Sequence, residues 1–200
     1  IFGYTQKSTG GYSSGQTTAF INTNYSSAEG AVWQYSCYVS GYKNSFYYYI
    51  PSSLKCVVIT NQGNIRPAAF NGCENINEIT YTKTISNISE AAFQNCKALN
   101  RINSKVDGRA DLTGKYSHIG NHAFKNCSLI NDVIIPNGVM NIGEYAFESL
   151  SMTGLTIPDT VQEIGAGAFY GCNKLQSLSI PFVGQSKDAS AYNAVFGYIF

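Results

Sequence analysis

The sequence predicts a right-handed solenoid of the α/β class that is mostly β, with short parallel strands on its concave face. The return side is expected to hold 3₁₀ or one-turn helices. Two observations predict this fold: a motif of about 23 residues recurs along the chain, and each copy joins a strand-like alternation to a tight-turn spacing. Because so short a unit cannot bury its apolar side alone, successive copies must stack. The solenoid is placed at residues 50–181.

Ala-Phe pairs mark the repeat, and their Phe residues are Phe70, Phe93, Phe124, Phe147 and Phe169. Successive Phe residues are 23, 31, 23 and 22 positions apart, and an Ile stands five residues before each one. Three residues after Phe stands a Cys in four copies, namely Cys73, Cys96, Cys127 and Cys172, and Leu150 in the remaining copy. Recurrence at fixed offsets predicts that these positions point inward and form structural ladders from coil to coil.

Each copy approximates L-x-x-L-x-I-P-x-x-V-x-x-I-G-x-x-A-F-x-x-C, and the two parts of this motif have different periods. The first part ends in an alternation of period two, which predicts a short strand that stops at the Pro. The second part has spacings of three, which favour a 3₁₀-like or one-turn helical return. The 31-residue spacing is one coil plus eight residues, and it predicts an inserted loop near 104–114.

Two flanks rich in Gly, Ser and Tyr surround the repeats, at residues 1–49 and 182–200. Both contain the string Phe-Gly-Tyr, at positions 2–4 and 196–198, which is a distance of about 194 residues (196 minus 2). The chain is therefore interpreted as one period cut from a longer tandem-repeat array; a chance match of three residues is the alternative.

Both flanks are also expected to cap the solenoid, because end coils would otherwise expose apolar side chains. In the N-terminal flank, Phe46, Tyr48 and Ile50 alternate as one strand of a cap would. In the C-terminal flank, the β-prone run 194–200 is expected to fold back over Leu178 and Ile180; the alternative is that it stays exposed as an edge prone to association.

The repeat strings at residues 142–147 and 155–172 resemble the BspA-like (treponemal-type) leucine-rich repeats of bacterial surface proteins. The resemblance covers roughly residues 50–181, with Tyr81 and Ser104 departing from the strand-end Ile. It implies a leucine-rich-repeat solenoid that is extracellular or on the bacterial cell surface and serves adhesion or protein–protein interaction. It supplies no catalytic residue, so the chain is not expected to be an enzyme.

The charge balance narrows the classes of partner. Lys and Arg total 13 against 12 Asp and Glu, and charged residues make up only 12% of the chain, about half the usual ~25%. This composition provides no basic field for nucleic acid or for an anionic membrane. No run of 18 apolar residues occurs, so direct membrane insertion is not expected.

The cysteines and histidines have structural explanations. The four ladder cysteines are predicted to be buried free thiols, while Cys37 and Cys56 lie outside the ladder and could form a disulfide. The pair His118 and His122 is not expected to bind zinc, because the intervening residues are placed in a strand and a turn. The run 107–111 holds two Asp residues but lacks the spacing of a calcium loop, and it is interpreted as a turn. No metal and no cofactor is expected.

Outward-pointing strand positions form the candidate ligand-contact surface on the concave face. The residues are Glu78, Thr80, Arg101, Asn103, Asp132, Ile134, Thr156, Ser177 and Ser179. The leading hypothesis is a binding module for a protein or glycoprotein of a host or neighbouring cell. The alternatives are a structural spacer in a tandem array, and a glycan-binding accessory module suggested by the aromatic run at 42–49.

Overall fold

In this computed structural model the chain is a stack of parallel coils. The structure describes residues 4–6, 31–39, 42–61, 63–81, 85–104, 117–131, 133–135 and 137–200, with the backbone alone for residues up to 49 and for 103, 104 and 117. Parallel pairing between consecutive copies confirms the predicted β solenoid.

The concave face holds two parallel sheets. Its strands are β4 (Cys56–Ile59), β6 (Glu78–Tyr81), β8 (Arg101–Ser104), β11 (Gly154–Thr156) and β13 (Ser177–Ser179). Strands β4, β6 and β8 pair in register, with Cys56 opposite Glu78 and Glu78 opposite Arg101. Strands β11 and β13 form a separate two-stranded sheet.

The fourth concave segment, residues 133–135, is not a strand, contrary to the expectation from the motif. Its side chains still alternate, since Ile135 is buried while Ile134 is 42% exposed. Val133 follows Phe124 at the same spacing of nine residues as Ile102 follows Phe93, so the length of the connection does not account for this break.

The return side contains a further parallel sheet that the motif did not predict. Its strands are β5 (Asn64–Ile65), β7 (Asn87–Ile88), β9 (Ser117–Ile119), β10 (Val139–Ile142) and β12 (Glu163–Ile164), in the spatial order β12-β10-β9-β7-β5. The V-x-x-I part therefore ends in a strand rather than in a helix. The Ala-Phe part forms single turns in which Cys73 N–H donates to the Phe70 carbonyl at 3.0 Å, and Cys172 N–H to that of Phe169 at 3.1 Å. These are bonds of the 3₁₀ type without a 3₁₀ helix.

The five Phe rings of the motif form a continuous stack through the solenoid. Neighbouring ring centroids are 5.4, 5.3, 5.6 and 5.8 Å apart, and the rings are nearly parallel. The backbone follows the same ladder: Phe93 N–H donates to the Ala123 carbonyl, and Phe124 N–H to that of Ala146, both at 2.8 Å. The stack continues from Phe93 to Phe124 without a gap, although the predicted loop at 104–114 lies between them in sequence; residues 105–114 of that loop lie outside the described residues.

The four ladder cysteines are buried free thiols, as predicted. Each of three thiols donates to the Phe carbonyl of the preceding coil: Cys96 to Phe70 and Cys127 to Phe93 at 2.9 Å, and Cys172 to Phe147 at 3.1 Å. Burial raises the pKa of the Cys96 and Cys172 thiols. The cysteine is thus a weak donor as well as a small core residue.

We expect the ladder thiols to resist alkylation. In a Cys37→Ser background, iodoacetamide at pH 8 should modify Cys56, which is exposed, while the four ladder thiols react only in denaturant. Burial keeps the reagent away from all four thiols, and the raised pKa of Cys96 and Cys172 further lowers the fraction of the reactive thiolate at those two sites. Mass spectrometry of the native and the unfolded protein would count the modified sites. Rapid native modification of Cys96 or Cys127 would contradict the buried ladder.

The C-terminal flank forms 3₁₀ turns at Ala191–Ala194 and Phe196–Ile199, not the strand expected at 194–200. Gly167 N–H donates to the Tyr198 carbonyl at 2.9 Å, and Phe169 N–H to that of Ile199 at 2.8 Å. The same hydrogen bonds join successive coils of the solenoid, where each motif Phe donates to the carbonyl of the Ala in the next Ala-Phe pair. Ile199 takes the place of that Ala for Phe169. The flank therefore meets the return side of the last coil at the Phe stack, rather than Leu178 and Ile180 on the concave side.

The described part of the N-terminal flank is an antiparallel sheet. It consists of β1 (Tyr4–Gln6), β2 (Ala31–Val39) and β3 (Tyr42–Tyr49), in the order β1-β3-β2. The alternation of Phe46 and Tyr48 falls in β3. The capping role of this flank stays a prediction, because its side chains lie outside the described residues.

Candidate ligand-binding face

The N-terminal half of the concave face carries opposite charges in adjacent strands. The guanidinium of Arg101 lies 3.8 Å from the carboxylate of Glu78, and both side chains are partly exposed. An exposed pair of this length contributes at most about 1 kcal/mol of stability. Next to it, the Cys56 Sγ is 3.8 Å from Glu78 Oε2. The Cys56 thiol is free, so the structure does not contain the disulfide with Cys37 that the sequence left open.

Of the other predicted contact residues in this half, only Thr80 has a side chain among the described residues. Thr80 lies on β6 and is half-buried. Asn103 lies on β8, but its side chain is outside the described residues, as is the whole of Asp132. Of the three charged residues in the predicted contact set, Glu78 and Arg101 form an ion pair, and the position of Asp132 stays a prediction.

The C-terminal half of the concave face forms an open groove of about 940 Å³. It runs across residues 133–135 and strands β11 and β13. Four of the predicted contact residues line this groove: Ile134, Thr156, Ser177 and Ser179. They belong to three successive coils, and the parallel register of Gly154 with Ser177 and of Thr156 with Ser179 holds the last two coils in line.

The groove offers short hydroxyl side chains around one exposed aliphatic side chain. Thr156, Ser177 and Ser179 are exposed and can each donate and accept hydrogen bonds. Ile134 adds an apolar surface beside them. The described lining includes Asp159 as its one ionisable group, so this surface supplies hydrogen bonding, an apolar contact and one negative charge.

Among the lining residues that were not predicted from the sequence as contacts, Asp159 and Gly154 change the charge and the shape of the groove. Asp159 follows Pro158 directly after the strand-end Ile, and the motif treats this position as turn. Gly154 occupies an outward strand position where other copies carry larger side chains. The sequence did offer a signal for Gly154. A glycine at an outward strand position weakens the strand and often marks a place where a ligand approaches the backbone.

The histidines lie on the return side, away from this groove. His118 is exposed on β9, and the His122 ring stacks on Tyr145 with centroids 5.5 Å apart. In the part of the chain that the structure describes, no three His, Cys, Asp or Glu side chains come close enough to hold a metal ion. Among those same residues, no helix has the length and apolar character needed to cross a bilayer.

Two solved structures share this fold. A leucine-rich repeat protein from Bacteroides ovatus aligns with a TM-score of 0.52 and 25% identity, over 75% of this chain and 40% of that one. The leucine-rich repeat protein TpLRR of T. pallidum aligns with a TM-score of 0.53 and 25% identity, over 66% of this chain and 61% of that one. The chain thus spans less than two thirds of either protein. No curated protein sequence matches it.

The repeats match the description of a known protein family. The model of the BspA type leucine-rich repeat region matches in six copies, over residues 41–108 and 109–194. These ranges include every coil of the solenoid and both sheets of the concave face. The chain therefore belongs to the BspA-type leucine-rich repeat family.

Proposed function

We propose that the chain is a non-enzymatic binding module of a bacterial cell-surface or secreted protein, and that it holds a protein or glycoprotein partner in the concave groove. Family membership supports a repeat or binding module. The observation that carries the proposal is the groove itself. Its exposed side chains come from three successive coils, and parallel strand pairing aligns the last two of these coils.

The concave face favours an extended partner for a geometric reason. Parallel coils repeat the same outward positions at roughly 4.7–4.9 Å, so a partner lying across them meets a new pair of side chains at each step. The polar side chains that line the groove are short and have few rotamers, so less side-chain entropy is lost when a partner binds.

The proposal is tested by blocking the groove. We expect Thr156→Arg combined with Ser177→Arg to abolish binding to a panel of immobilised matrix and cell-surface glycoproteins, because two long cations would fill the floor between β11 and β13. Both positions are exposed, so the fold should persist and circular dichroism should be unchanged. The matched control is Glu90→Arg, an exposed position on the return side.

Each outcome of that test separates the candidate functions. Loss of binding in the groove variant alone supports the binding module. Binding that survives in the variant places the contact elsewhere, and a wild-type chain that binds nothing in the panel favours the spacer. Binding that disappears after enzymatic removal of glycans favours the glycan-binding module.

A further inference from the structure

Gly154 has no structural reason to be a glycine. It is not among the residues with a positive φ, so its backbone would accept any L-residue. A Cβ at Gly154 would meet the Ser177 hydroxyl at 2.8 Å, which is the end of a small side chain that can rotate away. In contrast, a Cβ at Gly120 would meet the backbone nitrogen of Glu90 at 2.5 Å, which explains that glycine by coil packing.

The missing side chain at Gly154 leaves a notch in the floor of the groove. Ser177 borders the notch on β13, and Thr156 borders it on β11, the strand to which Gly154 itself belongs. On the opposite side the groove is walled by the segment that carries Ile134, a β-branched side chain 42% exposed. A notch with one aliphatic wall and a hydroxyl rim fits an aliphatic side chain, which would bury apolar surface against Ile134 while its backbone bonds to the hydroxyls.

The charge of the groove is supplied by Asp159. Its side chain is exposed in the turn that follows β11, at the edge of the groove, and the described lining contains no cation. A strand rises about 3.3 Å per residue, so a residue two positions from the anchor lies about 7 Å along the groove. Gly154 and Asp159 are five residues apart, which is at most about 18 Å along the chain, so a Lys or Arg at that position would extend its side chain towards the turn after β11 to meet the carboxylate.

These features favour a peptide over a sugar. The described lining holds no aromatic ring on which a sugar could stack, and neutral glycans offer no cation to Asp159. An extended peptide supplies the aliphatic side chain, the cation and the backbone groups in one segment.

We propose that the groove binds an extended polypeptide segment that inserts an aliphatic side chain at the Gly154 notch and pairs a Lys or Arg, two residues away, with Asp159. This inference rests on the proposed function, and it names the ligand of the same face.

The test is a dense array of immobilised seven-residue peptides on a Ser/Thr background, probed with the fluorescently labelled full chain. One peptide carries leucine at its third position and lysine at its fifth. A second replaces the lysine with glutamate, and a third replaces the leucine with serine. We expect the leucine–lysine peptide to retain about fivefold more protein than either of the others, and the excess to fall with added salt.

Two variants locate the contacts. Gly154→Val fills the notch and should reduce binding of the leucine–lysine peptide about tenfold, whereas Asp159→Asn should abolish only the preference for lysine over glutamate. The matched control is Cys56→Val, which puts the same side chain in the same outward column of the first coil, outside the groove. Thermal melts of all variants would verify folding.

The results distinguish this inference from the proposed function. Equal retention of all peptides, no retention of any, or full binding by Gly154→Val would overturn the peptide assignment. If the groove-blocked variant still loses glycoprotein binding in that case, the proposed function stands and its ligand has a different chemistry.

Discussion

Replacing Phe124 with Ala is expected to lower the free energy of unfolding by about 3–5 kcal/mol. Its ring lies between those of Phe93 and Phe147, at centroid distances of 5.3 and 5.6 Å, and the residue is buried. Removing it leaves a cavity in the middle of the stack, which neighbouring coils cannot close because inter-coil hydrogen bonds fix their spacing. The loss also interrupts contacts on both sides, in a fold where each coil is stabilised by its neighbours.

Equilibrium unfolding in urea would measure this effect. The control is Leu129→Ala in the same coil, which removes an aliphatic side chain that is 52% exposed and should cost less than about 0.5 kcal/mol. A loss below 1 kcal/mol for Phe124→Ala would show that the ring contributes little to the core.

The repeat positions could be predicted because they depend on spacing alone. Phe and Cys recur at fixed offsets, and coils of equal length place equal offsets one above another, so the stack of rings follows from the sequence. The bond from the Cys96 thiol to the Phe70 carbonyl could not be predicted, since it depends on which backbone carbonyl lies next to the side chain.

Some features of the fold could not be predicted from residue spacing alone. The return strand at Val139–Ile142 has the same three-residue spacing as a helical turn, and only pairing with neighbouring coils makes it a strand. The break at residues 133–135 could not be predicted from spacing either, because Val133 follows Phe124 at the same distance as Ile102 follows Phe93. The groove could be anticipated in part, because Ile134 and Thr156 are outward by alternation, while the contribution of Asp159 depends on how the chain turns after Pro158.

The C-terminal flank shows how a sequence without the motif can complete the repeat. Val195 to Phe200 lacks the Ala-Phe pair, and yet its carbonyls accept the hydrogen bonds that the next coil would accept. Ile199 is fully buried, and the Phe200 ring lies 6.2 Å from Phe169 with a tilt of 53°. Phe200 N–H donates back to the Gly197 carbonyl, so the flank ends the ladder instead of extending it.

Deleting residues 195–200 is therefore expected to destabilise the last coil by about 3 kcal/mol or more. The burial of Ile199 alone contributes about 1.5–3 kcal/mol, and its loss also exposes the buried ring of Phe169. The amides of Gly167 and Phe169 lose their acceptors, so hydrogen exchange at these two sites should approach the rate of the unfolded chain. The amides of Phe93 and Phe124, which donate within the solenoid, should stay protected.

A point variant separates loss of the cap from loss of chain length. Ile199→Asp places a charge in a fully buried position and should reproduce the fast exchange, whereas Tyr192→Asp, at a side chain that is 77% exposed, should leave it unchanged. Because the uncovered coil presents unpaired backbone beside apolar side chains, the truncated chain should also associate in light scattering. A truncated chain that stays monomeric, with unchanged exchange at Gly167 and Phe169, would show that the flank rests on the solenoid without closing it.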